Sequence, residues 1–413
     1  MMPSALDLVR RYASGETTAA ETVRDVLDRL ADLRETVGGV AATDPERSLA
    51  EAAEADRRLR AGEGGPLEGV PVTVKDWIDV AGLPVTGATG SHVGSPGRRP
   101  GADATAVARL RAAGAIVVAI SSAMADNPLH GRTRNPFDPA RAPGGSSSGT
   151  AALVGAGAVP LGLGSDSGGS IRLPAAWCGV AGLKPTFGRV PLTGHFPRCG
   201  ALEDGRTVIG PLASSVRDLA VALRVIAGPD GLDAGVAPVP LGDPDAVGTA
   251  GLRVGTMAGG EPGDHTAEGG HGATASAVAA LAEAGACVVD EPVPDVREEA
   301  LELTRRYWGR SGLPGAENVR VMWDWDRFRR RMLAATAHLD VIVTPVAPEP
   351  PPWRESIESD YLWTLPWSLT GAPVVVTPSG TAADRPGAVQ VIARPWEDHV
   401  ALAAALVIER ARG

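Results

Sequence analysis

Between Asn135 and Lys184 the chain is made largely of glycine, serine, proline and small apolar residues, with very little charge. A glycine- and serine-rich linker is polar and disordered. This stretch is instead interleaved with Leu153, Val154, Val159, Leu161, Leu163, Ile171 and Leu173, so its turns must be buried in a packed, loop-rich core. That requirement sits badly with a helical bundle, as do 52 glycines and 35 prolines in 413 residues. Such residues serve the tight connections of an α/β fold.

The flanking patterns agree with that class. Val70–Val74 reads as a short buried strand that delivers Lys75 at its end. Thr105–Ala113 is an amphipathic helix stopped by Gly114. Ala115–Ile120 is a continuous apolar run, as expected inside a sheet covered on both faces. Leu252–Gly255, a helix over Thr274–Ala284 and Cys287–Val289 repeat the strand–helix–strand rhythm. Val341–Thr344, Val374–Val376 and Val389–Ile392 supply further strands, Pro345–Pro352 a proline-rich turn and Asp398–Glu409 a closing helix. Residues 4–60 carry apolar residues at helical spacing (Leu6, Val9, Tyr12; Val23, Val26, Leu27, Leu30), consistent with two or three helices.

Charge and cysteine usage remove several function classes. A net charge of -10 argues against nucleic-acid binding, because phosphate contacts need clustered Lys and Arg. The one dense basic run, Arg327 with Arg329–Arg331, fits a solvated helix face. Ala151–Gly164, the longest apolar stretch, is broken by Pro160 and glycines and is too short to span a membrane. Met1–Leu30 reads as polar, charged helix without a signal-like apolar region. Cys178, Cys199 and Cys287 are odd in number and far apart, which fits reduced thiols. No Cys/His cluster suggests a metal. The expectation is a cytoplasmic protein with no metal, no cofactor, and no nucleic-acid or membrane partner; a homodimer is compatible with it.

Lysine usage is the sharper clue. Of 39 basic residues only Lys75 and Lys184 are lysines. A genome biased toward arginine codons explains the 37 arginines, and it makes the two exceptions informative. Arginine carries charge equally well but cannot lose its proton in a protein, whereas a buried lysine can.

The densest chemical signal is Pro143–Gly149 (PGGSSSG) followed by Gly164–Arg172 (GSDSGGSIR). A serine hydroxyl needs a base to become a nucleophile and donors for the oxyanion it creates. Two successive glycines in Ser167–Ser170 can adopt positive φ, so that consecutive backbone N–H groups converge on one point. An isolated GGS is more often a tight turn with a capping serine, so the context has to decide.

Residues 143–188 supply that context. The PGGSSSG block, GSDSGGSIRLPAAWCG and Gly182–Gly188 (GLKPTFG) resemble the amidase signature family. Asp76–Gly82, Gly210–Asp218, Thr344–Pro345 and Leu369–Pro373 are similar to further landmarks, so the resemblance covers essentially the whole chain. It implies a Ser–Ser–Lys triad with Ser170 as nucleophile, Ser146 as bridging serine and Lys75 as base. It also implies an oxyanion hole from the N–H groups of Ser167, Gly168, Gly169 and Ser170, with Ser147, Asp166 and Arg172 in support. For Lys75 to act as a base, its reference pKa of about 10.4 must fall, and burial does that by penalising the ammonium. Lys184, in the GLKP turn, is the control, retained for packing.

The resemblance implies an α/β fold in one domain over residues 1–413, with a mixed central sheet covered by helices. Within it, 1–61 is a helical arm, 66–230 the catalytic core, and 231–413 the remaining sheet, a substrate-side cap and the closing helix. The implied reaction is hydrolysis of a small-molecule amide to an acid plus ammonia or an amine. Transfer to another acceptor, a carbamoyl or urea-type substrate, and the glutaminase subunit of an amidotransferase remain alternatives on the same triad. Val190–Pro197 is unlike what that subunit would carry.

Two other readings fit less well. Gly145–Gly149 also satisfies G-x-S-x-G, which would make Ser147 the nucleophile with His399 and an upstream Asp, but residues 135–143 hold three prolines and cannot be the central strand that elbow follows. Gly162–Gly164 lacks the spacing and the downstream acid of a nucleotide loop.

The sequence departs from the family at Ala119–Gly131. Ser121–Ser122 replaces a Thr-Asn pair, Ala125 stands where an acid is usual, and the loop is short. Ser122 and Met124 on that loop are expected to touch substrate. So are Trp363 and Trp367, which with Trp353 and Tyr361 form an aromatic enrichment expected to line a site for an aromatic or planar acyl group. Glu355, Glu358 and Asp360 nearby are expected to attract a cationic group, unless the region is a packed cap.

Overall fold

The chain is described here by a computed structural model covering residues 2–88, 95, 97–196, 205–257, 268–382 and 385–412. His92 and Cys199 lie outside the described residues. The strands are β1 Val40–Thr43, β2 Pro71–Lys75, β3 Ile116–Ser121, β4 Asp126–Asn127, β5 Gly131–Arg132, β6 Leu161–Asp166, β7 Ala181–Lys184, β8 Val208–Ala213, β9 Arg253–Thr256, β10 Cys287–Val288, β11 Val341–Pro345, β12 Val374–Ala382 and β13 Arg385–Ala393. Except for the small β4–β5 hairpin, all join one mixed sheet in the order β1-β3-β2-β6-β8-β7-β12-β13-β11-β9-β10.

The continuous apolar runs form strands because both sheet faces are covered. In β3, Val117 and Ile120 belong to one core while Ile116, Val118 and Ala119 belong to the other; the alternation of a pleated strand is interrupted at Val118, where the pairing with β2 shifts register. The first core takes Val107 and Leu110 from α4 (Thr105–Ala112), Leu219 and Leu223 from α7 (Val216–Ile226), and Leu402 and Leu406 from α12 (Asp398–Ala411). The second takes Val23 and Val26 from α2 (Ala19–Asp32), and Leu153 and Val154 from α5 (Ser148–Gly155). A third core lies under α9 (Arg297–Trp308), α10 (Gly315–Ala335) and α11 (Leu365–Thr370), around Trp325, Phe328, Trp363 and Trp367.

The N-terminal helices α1 (Ala5–Ser14), α2 and α3 (Pro45–Ala61) form as the spacing predicts. Buried carboxylates dock the first two: Asp218 accepts the N–H groups of Ala5 and Leu6 at 2.8 and 3.1 Å, and Asp56 those of Ala19 and Ala20 at 2.7 and 3.1 Å. Each satisfies donors that a helix start leaves unpaired. The arm is not purely helical, because β1 pairs antiparallel with β3 at the sheet edge. Four small residues carry no period from which that strand could be read.

The 135–184 stretch is buried, as its composition requires, but it is less loop-like than expected. It contains α5, β6, α6 (Arg172–Trp177) and β7. Helix α5 is buried around its circumference, so no amphipathic period betrays it. The strand–helix–strand unit after Leu252 is present as β9, α8 (Glu268–Glu283) and β10, with β9 and β10 parallel. The basic run of α10 is a solvated face, where Arg327, Arg329, Arg330 and Arg331 pair with Asp324, Asp326 and Glu299. Among the described residues no helix is long and apolar enough to cross a membrane.

The middle of the sheet depends on a close backbone approach. A Cβ on Gly210 of β8 would stand 2.1 Å from the Leu183 carbonyl oxygen of β7. Gly210→Ala is therefore expected to destabilise the chain by about 1–3 kcal/mol or more, as overpacking does, read from the midpoint of a urea titration.

Candidate active site

Strand β2 lies inside the sheet, parallel to both β3 and β6. Its last residue, Lys75, therefore enters the protein interior and is 0% exposed. Its Nζ lies 2.7 Å from Ser146 Oγ, 3.0 Å from Ser165 Oγ, 3.2 Å from Ser147 Oγ and 3.5 Å from the Ser165 carbonyl oxygen. The Trp77 ring covers it, with Nζ 3.9 Å from the ring centroid. No carboxylate is within ion-pairing distance of Lys75 among the described residues. Burial pushes the amine well below its ordinary pKa, and the charge of Asp166 opposes this only in part.

Ser146 and Ser147 sit between Gly145 and the start of α5. Ser147 Oγ donates to the Ser165 carbonyl at 3.1 Å and accepts the Ser165 N–H at 3.2 Å. Its own N–H donates to Ser170 O at 3.2 Å. Helix α5 and the end of β6 are thus stitched together around the amine. Ser170 is half-buried, and its Oγ accepts from the Ser146 N–H at 3.4 Å. No hydrogen bond joins the Ser146 and Ser170 hydroxyls among the described residues.

The Ser167–Ser170 turn has the features expected of converging donors. Gly169 adopts φ +143°, which a side chain would strain. Among the described residues none of the N–H groups of Ser167, Gly168, Gly169 and Ser170 donates to a protein acceptor. Asp166 and Arg172, both fully buried, clamp the turn from behind with an ion pair at 2.8 Å. Asp166 also accepts the N–H groups of Ile171 and Arg172 at 3.0 and 3.3 Å. Arg172 donates onward to Thr364 O and Ser368 Oγ, both at 2.6 Å. Burial alone would raise the Asp166 pKa, but the charge and hydrogen bonds of Arg172 hold it below the usual carboxylate value.

Lys184 is informative as a comparison. It is buried too, and burial lowers its pKa to about 7. Its amine donates to the Pro185 carbonyl at 3.0 Å, whereas Lys75 meets three hydroxyls. A depressed pKa therefore does not distinguish the two lysines; their partners do.

The expected substrate contacts divide. Met124 is half-buried, holds φ +68° and donates its N–H to Ser146 O at 3.2 Å, so the short loop rests on the site. Ser122 does not face it: the residue is buried, donates its N–H to Gly39 O at 2.7 Å and packs against Gly149. Trp363 and Trp367 are 1% and 2% exposed and belong to the third core. They are cap packing: Trp367 sits on α11, which is buried along its whole length, and Trp363 lies buried just before it. The acids nearby already have partners: Glu358 pairs with Arg305, Asp360 with Arg354, and Glu355 accepts the Asp126 N–H. His399 packs against Gly242 while Ser147 Oγ engages Ser165, so the Ser147–His399 arrangement is not assembled.

Several residues at the site carry little signal in the sequence. Ser165 and Trp77 touch Lys75 directly; adjacency to the motifs is the only pointer to them. Thr364 donates to Gly168 O at 2.5 Å, and Tyr361 packs against Gly145 and Gly169. Nothing in sequence links Thr364 to Gly168, and Tyr361 is marked only by the aromatic enrichment, not as a neighbour of Gly145 and Gly169. Among the described residues there is no group of three or more His, Cys, Asp or Glu able to hold a metal.

Comparison with known proteins gives one answer. The sequence model of the family described as Amidase matches residues 21–311. The chain is 33% identical to the A-subunit of the glutamyl-tRNA(Gln) amidotransferase of Chloroflexus aurantiacus, over 94% of this chain and 92% of that one. It is also 33% identical to AtzE, a subunit of the 1-carboxybiuret hydrolase of a Pseudomonas species, over 98% and 97%. The structure superposes on native peptide amidase from Stenotrophomonas maltophilia with a TM-score of 0.80 at 27% identity, covering 99% of this chain and 97% of that one.

Because Asp166 and Arg172 are buried together, Arg172→Met should leave an unpaired interior carboxylate and cost about 3–5 kcal/mol. Chemical denaturation of the variant beside the parent chain measures this.

Proposed function

Since the chain belongs to the amidase signature family and is an amide-hydrolysing enzyme, we propose that it cleaves the C–N bond of a small-molecule amide through a Ser170 acyl-enzyme, with Ser146 as proton relay and neutral Lys75 as base. The observation that carries this reading is the buried amine 2.7 Å from Ser146 Oγ, ringed by hydroxyls. A neutral amine has a lone pair, and a hydroxyl can both give and take a proton. In the proposed sequence Ser170 Oγ turns from the Ser146 N–H toward the Ser146 hydroxyl. Lys75 then takes the Ser146 proton as Ser146 takes that of Ser170.

The Ser170 oxygen forms a bond to the amide carbon, and the carbonyl oxygen becomes an oxyanion facing the free N–H groups of residues 167–170. Removing one such donor from an enzyme of this type costs about 3–4 kcal/mol of transition-state stabilisation. As the C–N bond breaks, the relay runs backward and protonates the leaving nitrogen. Water, deprotonated through the same chain, attacks the ester and releases the acid.

A second reading rests on the names of two relatives, each a subunit of something larger. On that reading this chain also works beside a partner, and turnover by the purified chain alone separates the two.

A panel of primary amides with the parent chain, Ser170→Ala and Lys75→Arg tests the proposal. Both variants should lose activity by at least about a thousandfold, since relay members act as a unit. Lys75→Arg is the sharper arm, because it keeps a cation that cannot be deprotonated. As a base works only unprotonated and burial lowers the Lys75 pKa, kcat/KM should rise with pH to a plateau reached well below the ordinary lysine range. Retained activity in Lys75→Arg would refute the assignment.

A further inference from the structure

One aromatic side chain stands against the catalytic turn without belonging to the core. Trp308 ends α9, where its neighbour Tyr307 is 1% exposed and Trp308 itself is 42% exposed. The outer edge of its indole, Cζ2 and Cη2, lies 3.2 Å from the point a Cβ on Gly168 would occupy. Leu365 reaches the same point to within 3.4 Å. On the next residue of the turn, a Cβ at Gly169 would lie 2.8 Å from Cδ1 of Tyr361. The hydroxyl of Tyr361 and Ser170 Oγ both approach the Cβ position of Gly145, at 2.4 and 3.3 Å. The Arg206 guanidinium, itself buried, sits 5.3 Å from the ring centroids of both Tyr307 and Trp308.

The geometry points to Trp308, with Tyr361, as an aromatic wall beside the oxyanion turn that selects amides bearing a planar, apolar acyl group. This rests on the hydrolytic reading above and names its substrate class. The donors of the turn fix the carbonyl oxygen, and the acyl group stays bound to Ser170 through both half-reactions. A flat group on the acyl carbon therefore remains beside the turn throughout, where an exposed indole can cover it. Covering it removes apolar surface of both partners from water. Of the aromatic cluster noted in the sequence, Trp363 and Trp367 serve the core and Tyr361 reaches the turn; Trp308 comes from another helix.

Matched primary amides isolate the acyl side, because ammonia is the only leaving group. Benzamide and phenylacetamide are compared with propionamide in the parent chain, Trp308→Ala and Trp308→Phe, with melting temperatures to confirm folding. Trp308→Ala should lower kcat/KM for the aromatic amides by about tenfold or more and change propionamide by less than about threefold, with Trp308→Phe recovering most of the loss. An equal loss on all three substrates, or none, overturns the inference. Should the parent chain hydrolyse no amide, the hydrolytic reading fails on its own, and the wall is tested by calorimetric binding of benzamide to Ser170→Ala. There, adding Trp308→Ala must weaken binding about tenfold; equal affinity, or no binding before the second change, overturns it.

Discussion

The site is organised around an amine taken out of water with no counter-ion among the described residues. Isolating an ammonium in a protein interior is expensive, and a group so placed gives up its charge instead. Every element near Lys75 serves that condition. Strand β2 is flanked on both sides by parallel strands, so its end opens into the interior. Hydroxyls of Ser146, Ser147 and Ser165 supply polar partners that carry no net charge, and Trp77 closes the remaining side. A carboxylate at any of those positions would restore the ammonium and remove the lone pair.

The same few residues also need a negative charge kept close but out of contact. Asp166 ends β6, one residue after Ser165, and its influence on Lys75 is purely long-range. Arg172 absorbs that charge with bidentate geometry, the arrangement in which guanidinium and carboxylate bind most firmly. By taking the N–H groups of Ile171 and Arg172 as well, Asp166 commits the donors after the turn and leaves those within it unspent. One carboxylate therefore sets the shape of the turn and stays away from the amine, because an arginine holds it there.

How much of this was legible depended on the kind of signal. Strand β2, which delivers Lys75, was plain because a doubly covered sheet writes such strands as unbroken apolar runs, whereas the glycine-broken β6 that carries Ser165 and Asp166 was not. Lys75 stood out because the chain spends lysine so rarely, and Ser146 and Ser170 because a long signature surrounds them. Helices α5 and α6 were hidden, since an element buried on all sides has no polar face to give a period. Trp363 and Trp367 misled for a related reason: local enrichment in aromatics says that a region is apolar, not which way its rings point. Lys184 shows the limit of the lysine argument, since it is as buried as Lys75 and differs only in its partners.

The residues that meet at Ser170 come from two separately built parts of the chain. Lys75 and Ser165 lie on β2 and β6, Ser146 and Ser147 just before α5 and the turn just after β6, braced by the sheet and its two large cores. Trp308, Tyr361 and Thr364 come from α9 and the segment before α11, which belong to the third core, and Met124 comes from a short loop beyond β3. A change in the second set can reshape the space before Ser170 without moving the amine or its hydroxyls, provided that Thr364 still holds the Gly168 carbonyl. That hydrogen bond, with those Arg172 donates to Thr364 O and Ser368 Oγ, ties the cap to the turn. In the proposed mechanism, proton transfer is therefore held by the sheet, while the fit of the substrate is open to adjustment by the cap.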